Sequence, residues 1–336
     1  MSRLGLSVVM GGVLLALPLS ASLAAPPHSP DLYVARFFGN DVQRFFGPQS
    51  ATPGASHPSP SASGAEFSTG VVARRPWGIA FGPDGNLYVA NQQGGDGAIL
   101  RLHGPFDAAP GSAAPAPGLP ADQFVASGNF MTVAFGLDQN LYAGGAGAVQ
   151  RFDVATGASL GAFTSGRVPA TVEGIAFGPD QNLYVSSFDA CVPGPDCSTT
   201  TGEILRFDGK TGAFIDVFVA DGDGGLDHPG GIAFGTGGDL FVANALAGGA
   251  TGEVLRFHGP LSASAGEPFP APGQPAARFA AEAGVTPYQV AFGPDRTLYV
   301  SSSAGVSAFN GRNGAFQKHF AVASDARGLA FYNGAR

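Results

Sequence analysis

Short runs in which apolar residues alternate with small or polar ones recur along the whole chain and are separated by glycine-rich turns. The stretch Gly78 to Asn91, GIAFGPDGNLYVAN, shows the pattern: Ile79 and Phe81 flank Ala80, a Gly-Pro-Asp-Gly turn follows, and a second apolar run begins at Leu87. A period of two predicts β-strands, and Pro followed by Asp-Gly predicts a tight reversal. We therefore predict an antiparallel hairpin.

The first strand of this hairpin has six copies. Its Ala-Phe pair recurs every 39 to 58 residues, as Ala80-Phe81, Ala134-Phe135, Ala176-Phe177, Ala233-Phe234, Ala291-Phe292 and Ala330-Phe331. Repeats of this length are typical of propeller blades. The second strand follows five copies, whereas the sixth copy finds its partner at the other end of the chain, in Asp31 to Val34. A third and a fourth strand complete each unit.

The repeats predict an all-β fold, a six-bladed β-propeller with four antiparallel strands per blade and a last blade closed by both termini. Such closure removes an exposed sheet edge. We expect the propeller to span 25–336. Its blades are predicted at about 78–128, 131–167, 174–221, 231–284 and 288–323, with a last blade made of 328–331 plus 31–71.

The third strand is followed by an insertion in three blades and contains an arginine in five. Three blades continue into the fourth strand through insertions rich in Pro, Ala and Ser, at Gly47–Ala65, Gly104–Ala121 and Gly259–Ala276. Their composition predicts mobile surface loops. Five third strands carry an arginine at the same place: Arg44, Arg101, Arg151, Arg206 and Arg256. This regularity favours a structural role, with each stem lying between blades and each guanidinium bonded to loop carbonyls, over a binding patch.

The N-terminus has the pattern of an export signal. Arg3 precedes the apolar run Leu4–Leu19, and Ser22-Leu23-Ala24 is a small-x-small cleavage site. We predict a cleaved signal peptide over 1–24, rather than a retained anchor, and hence a secreted or periplasmic protein. No later stretch approaches the ~20 apolar residues of a membrane span.

The two cysteines, Cys191 and Cys197, lie in one short segment. In an exported protein this pair predicts a local disulfide. The metal-site alternative lacks further ligands nearby.

Charge excludes some classes of partner. The formal net charge is −8, only 12% of the residues are charged, and the 17 Lys and Arg are scattered. This argues against nucleic acid or an anionic membrane surface as a partner. The sequence also has no nucleophile elbow, P-loop, HExxH or paired-carboxylate motif.

The units, above all Gly202 to Ala233, resemble the NHL-type repeats of exported bacterial proteins. Those are related to the streptogramin lyase-like and SMP-30/gluconolactonase-like six-bladed propellers. The resemblance covers 31–336 and implies the fold, but no single activity, because these propellers include scaffolds, lyases, lactonases and sugar-binding modules. It also implies a ligand face, the channel rim formed by the loops that enter strand one and those that follow strand two.

Two rings of rim residues differ between blades where the repeats otherwise agree. The ring before strand one is Trp77, Met131, Glu173, Gly230, Tyr288 and Arg327; the ring after strand two is Asn91, Gly145, Ser187, Asn244, Ser302 and Arg36. Such variation on a regular scaffold is what a ligand site requires, although relaxed loop positions would vary as well. We predict ligand binding by Trp77, Asn91, Glu173, His228, Asn244, Tyr288, Arg327 and Arg36, with the rings of Trp77 and Tyr288 offering flat apolar faces.

The favoured function is a monomeric, non-catalytic module that binds an unknown small molecule, carbohydrate or protein without a cofactor. The alternative is a metal-dependent lactonase, hydrolase or lyase of the SMP-30 or streptogramin lyase type. In that alternative Glu173, Asn91 and Asn244 would hold calcium or another divalent cation, and His228 would act as the base. These four side chains would then have to converge on one point. A structural ring in a cell-surface assembly is a further hypothesis.

Overall fold

The computed structural model describes residues 30–60, 62–69, 73–92, 98–119, 123–189, 201–246 and 251–332. Within these ranges 23 strands form six sheets. The described ranges hold one single-turn 3-10 helix (Asp223–Gly225), and no helix in them has the length and apolarity that crossing a bilayer requires. The predicted signal peptide over 1–24 and the cysteine pair lie outside the described residues.

The strands follow the predicted order of the blades. The last blade contains β1 (Leu32–Arg36), β2 (Asp41–Phe45) and β23 (Ala326–Phe331). Blade 1 contains β3 (Pro76–Phe81), β4 (Leu87–Asn91), β5 (Ile99–Leu102) and β6 (Gln123–Val125), and blade 2 contains β7 (Phe130–Phe135), β8 (Leu141–Gly145), β9 (Gln150–Phe152) and β10 (Ser159–Ala162). Blade 3 contains β11 (Thr171–Phe177), β12 (Leu183–Asp189), β13 (Thr201–Phe207) and β14 (Phe214–Val219). Blade 4 contains β15 (His228–Phe234), β16 (Leu240–Ala245), β17 (Glu253–Phe257) and β18 (Arg278–Ala281), and blade 5 contains β19 (Pro287–Phe292), β20 (Leu298–Ser302), β21 (Gly305–Phe309) and β22 (Phe316–Ala321).

The last blade joins the two ends of the chain, as the sequence predicts. Strand β23 pairs antiparallel with β1, and Leu32 lies opposite Phe331. This sheet has three strands rather than the four of the other blades. In place of the fourth strand, Glu66 forms a single bridge to Gln43, and the Phe67 amide donates to the Val42 carbonyl at 2.8 Å.

A repeated aromatic contact joins each blade to the next. The aromatic residue of the second strand packs edge-to-face against a Phe of its own outer strand or segment and against the Phe of the next blade's first strand, at ring-centroid distances of 4.8–5.1 Å. The six central rings are Tyr33, Tyr88, Tyr142, Tyr184, Phe241 and Tyr299. Each such pair contributes about 0.5–1.5 kcal/mol beyond its buried area.

The arginine of the third strand donates to loop carbonyls in some blades and pairs with a carboxylate in others. Arg101 donates to the carbonyls of Ala114 and Pro115 at 2.6 and 2.8 Å, and to Val154 of the next blade at 3.4 Å. Arg256 bonds the corresponding loop carbonyls, which confirms the structural prediction for these two blades. By contrast, Arg44 and Arg206 pair with the carboxylates of Asp31 and Asp216.

The described residues of the three insertions form a repeated set of backbone hydrogen bonds, and the mobility of these loops stays a prediction. In blade 1 the amides of His103 and Ala114 donate to the carbonyls of Ser112 and Arg101, both at 2.9 Å, and the other two insertions repeat these bonds. Gly111, with φ of 77°, lies so close to the preceding blade that an added Cβ would meet the Phe67 carbonyl oxygen. These bonds pair backbone groups of the Pro- and Ala-rich segments with one another.

The buried tyrosines make the fold sensitive to alkali. Burial raises the pKa of Tyr142 to about 12, and it raises the pKa of Tyr33, Tyr88, Tyr184 and Tyr299 as well. The folded protein therefore holds phenolic protons that the unfolded chain releases near pH 10, so the stabilisation is complete below pH 10 and is lost as pH rises. Urea denaturation at successive pH values should show falling stability above pH 10, with phenolate absorbance appearing together with unfolding. Phenolate absorbance from these residues in the folded protein near pH 10 would contradict this burial.

Candidate functional site

The first strand of every blade is irregular at the same level near the rim. In β11, Val172 pairs with Ser187 and Gly174 with Ser186, so Glu173 between them has no partner across the ladder. Met131, Tyr288 and Arg327 occupy the same unpaired place, and in β3 and β15 the break spans two residues that include Trp77 and Gly230. Such β-bulges redirect side chains and are frequent beside functional sites.

This ring therefore belongs to the strands and does not precede them. The sequence placed Trp77 before strand one and Asn91 after strand two, but Pro76 still pairs with Asn91 beyond the irregularity. The ladder continues past the bulge, so both residues are strand residues. Period-two alternation did not show this, because a bulge shifts the alternation by one residue.

On one side of the rim Arg327 lies between aromatic rings from neighbouring blades. Its guanidinium carbon is 3.5 Å from the ring centroid of Tyr288, 4.5 Å from that of Trp77 and 5.1 Å from that of Phe37. Phe37 in turn packs edge-to-face on Trp77 at 5.4 Å. The predicted flat faces of Trp77 and Tyr288 thus hold a cation, an arrangement stabilised by the ring quadrupoles.

The Arg327 guanidinium makes no hydrogen bond with the described residues, although its side chain is only 15% exposed. Its Nε lies 3.4 Å from Oδ1 of Asp325, close enough for an ion pair but without hydrogen-bond geometry. The Arg327 carbonyl accepts from Ser301 Oγ of the preceding blade at 3.0 Å, which fixes the backbone. The guanidinium of Arg327 is thereby held in place while its N–H groups lack a hydrogen-bond acceptor. Leaving such donors unsatisfied costs free energy unless a ligand supplies the acceptor.

Glu173 and His228 form a second group at the rim, from blades 3 and 4. His228 Nε2 lies 3.5 Å from Glu173 Oε1, and the imidazole stacks on Phe188 with ring centroids 3.4 Å apart. Their side chains are 15% and 32% exposed, respectively. The carboxylate is therefore partly desolvated but remains open to a ligand.

The other predicted residues are engaged elsewhere. Asn244 is buried, its Nδ2 donates to the Gly225 carbonyl at 3.1 Å, and its Oδ1 accepts from the Asp227 amide at 3.0 Å. Arg36 forms a bidentate pair with Asp41 at 2.7 and 2.6 Å, and this hydrogen-bonded pair raises the pKa of Arg36.

Asn91, at the end of β4, is buried. The structure thus brings Trp77, Tyr288 and Arg327 together, and separately Glu173 and His228. Among the described residues no three His, Cys, Asp or Glu side chains are placed to hold a metal ion.

Three residues of these groups were missed from the sequence. Phe37 and Phe188 each follow directly after the second predicted ring, at equivalent places in the last blade and blade 3. Extending that ring by one position would have found both. Asp325 is the last residue of the loop before β23; the loop before β7 has the same length but ends in Asn129, so the repeat did not point to an acid here.

Comparisons with known proteins support the fold. No family model matches the sequence, and no curated protein sequence matches it either. A gluconolactonase of Xanthomonas campestris superposes with a TM-score of 0.54 at 16% identity, covering 90% of both chains. A candidate gluconolactonase superposes with a TM-score of 0.55 at 14% identity, covering 88% of this chain and 89% of the other. A streptogramin B lyase has a TM-score of 0.37 at 10% identity, covering 85% and 72%, a likeness too low to support an inference. The chain is thus a six-bladed β-propeller with the architecture of the gluconolactonase-like propellers.

Proposed function

We propose that this protein is an exported, non-catalytic propeller that binds a small oxygen-rich molecule at its channel rim, with Arg327 as the anchor. The observation that carries the proposal is the unused donor capacity of a guanidinium that is 15% exposed and fixed by Tyr288 and Trp77. A carboxylate or hydroxyl oxygen of the ligand would accept from the terminal N–H groups, and charge assistance makes such bonds strong.

The second rim group supplies complementary chemistry. Glu173 lies three blades from Arg327 around the ring and offers acceptor oxygens, so hydroxyl groups of a bound carbohydrate would donate to it. The imidazole of His228 stacks on Phe188, and its Nε2 faces the Glu173 carboxylate. Acceptors on one side and donors on the other suit a polyhydroxylated acid better than an apolar ligand.

Replacing Arg327 by methionine is expected to weaken binding of D-glucuronate by about tenfold to a hundredfold, because a charge-assisted bond is lost while the stem is kept. Trp77 is the only tryptophan, so its fluorescence reports the rim, and calorimetric titration gives the affinity independently. Arg312→Met, at an exposed site in the hairpin between β21 and β22, is the matched control. Binding equal in the two variants, or no binding of any sugar acid by the native protein, would exclude the proposed site.

A lactonase is the competing function, favoured by the approach of Glu173 and His228 and by the fold that the chain shares with a gluconolactonase. Against it, the amide of Asn244 is already bonded at both ends to backbone. We expect no hydrolysis of δ-gluconolactone with or without added Ca²⁺, measured by proton release. Calcium-dependent hydrolysis that disappears in Glu173→Gln would replace the binding proposal.

A further inference from the structure

A cleft opens between blades 4 and 5, beside the rim residue Ser302. Its empty space of about 270 Å³ includes open solvent at the mouth, and about 20 Å³ is left for the centres of water-sized molecules. Its lining includes the apolar side chains of Val254, Val300 and Phe309, and also Glu253, Glu282 and two serines. A space of this size admits only a small molecule.

The third strand of blade 5 carries a small residue where three other blades carry leucine and two carry glutamine, and this leaves space for the cleft. The residue opposite Val300 in β21 is Ser307. Three of its counterparts, Leu100, Leu205 and Leu255, are buried and pack against the preceding blade. The other two are Gln43 and Gln150. The corresponding cluster between blades 4 and 5 has no such leucine, so the volume that this side chain would fill is left open.

The hydrogen bonds of the cleft leave it rich in acceptors. Ser307 Oγ donates to Glu282 Oε2 at 2.6 Å, and Ser302 Oγ is 3.2 Å from the Gly305 carbonyl and donates to it. Both hydroxyl protons are thereby committed. Ser302 Oγ also accepts from the Ala304 amide at 3.2 Å, and Ser307 Oγ lies 3.3 Å from His319 Nδ1. The capacity left for an occupant is carboxylate oxygen and a lone pair of Ser307, so the occupant has to be a donor.

The two carboxylates differ in how they are neutralised. Glu253 pairs with the guanidinium of Arg278, as Glu203 pairs with Arg167 in blade 3. Besides its bond from Ser307, Glu282 has one ion-pair partner among the described residues, the imidazole of His319, whose Nδ1 lies 3.5 Å away and whose side chain is 70% exposed. Glu282 is 21% exposed, so it is a partly desolvated anion without a permanent counter-charge.

From this geometry we propose that the cleft binds a short primary alkylammonium ion. The ammonium group donates to Glu282 and to the Ser307 oxygen, and the alkyl chain lies against Val254, Val300 and Phe309. A neutral alcohol of the same shape lacks the charge, and a bulkier cation does not fit the volume. This site includes the rim residue Ser302 but neither Arg327 nor Glu173, and it takes a ligand of opposite charge to the one proposed to bind at Arg327.

The experiment uses n-propylammonium as the probe, at constant ionic strength, with binding measured by saturation-transfer NMR of the ligand. We expect saturable binding with a dissociation constant on the order of a millimolar, as so few non-hydrogen atoms allow. Glu282→Gln should weaken it at least about tenfold, and Ser307→Leu should abolish it by filling the cleft while leaving the melting temperature unchanged or higher.

The controls separate this site from general charge and from the site proposed at Arg327. Glu267→Gln removes the same charge at an exposed place and should leave binding intact, as should Arg327→Met. 1-Propanol should not compete. Equal binding in native protein, Glu282→Gln and Ser307→Leu, or the absence of saturable binding by the native protein, would overturn the proposal. If Ser307→Leu does not fold, Glu282→Gln against Glu267→Gln decides alone.

Discussion

Replacing Gly328 by alanine is expected to lower the free energy of unfolding by about 3 kcal/mol, at the upper end of what overpacking costs. A Cβ at this position in β23 would lie 2.1 Å from the Trp77 carbonyl oxygen and 3.1 Å from the Ile79 amide nitrogen, both in the neighbouring strand β3. Backbone cannot rotate away as a side chain can, so the first strands of the last blade and blade 1 must separate. Urea denaturation followed by circular dichroism measures the loss.

Gly237→Ala is the matched control for Gly328→Ala. The nearest atom to a Cβ at Gly237 is Asp239 Oδ2 at 4.0 Å, and the residue is not in the left-handed region. Its stability should change by no more than about 0.5 kcal/mol. The native fluorescence of Trp77 should shift in Gly328→Ala only, because the neighbouring Arg327 moves with the strand. If the two variants unfold at the same urea concentration, the inner strands do not approach as closely as described.

The same close approach between neighbouring first strands explains why the repeat has glycine at this place. A Cβ on Gly78 would lie 2.7 Å from the Met131 carbonyl oxygen, and one on Gly174 would lie 2.6 Å from that of Gly230. The hairpin was predictable because alternation and turn chemistry are local properties. The need for glycine at these places arises from the closing of six blades around an axis, which no single hairpin reveals.

The candidate site was predictable only in part, for a related reason. Glu173 and Arg327 were identified because their positions differ between blades, whereas the neighbouring positions of the repeat agree. The sequence did not show that the Asn244 side-chain amide is hydrogen-bonded to backbone through both its oxygen and its nitrogen. Nor did it show that Arg327 stacks on Tyr288. Those contacts are made by residues far apart in the chain, and the bulge that aims them has no signature in alternation.

Replacing Tyr299 by alanine is expected to cost about 4 kcal/mol, within the range for removing a buried aromatic side chain. Tyr299 is 1% exposed, and its ring packs edge-to-face on Phe320 of its own blade at 4.8 Å and on Phe331 of the last blade at 5.0 Å. The cavity would lie at the joint between blade 5 and the blade that closes the ring. A single cooperative transition at lower urea concentration is the expected result, since each blade relies on its neighbours for its core.

Tyr299→Phe separates the ring from its hydroxyl group. Phe241 occupies the same place in blade 4 and keeps both edge-to-face contacts at 4.9 Å, so phenylalanine preserves the packing. Only the bond from the hydroxyl to Asp295, at 3.1 Å, is lost, which costs about 1 kcal/mol. A loss in Tyr299→Phe as large as that in Tyr299→Ala would show that the hydrogen bond to the turn, rather than the aromatic contact between blades, holds this joint together.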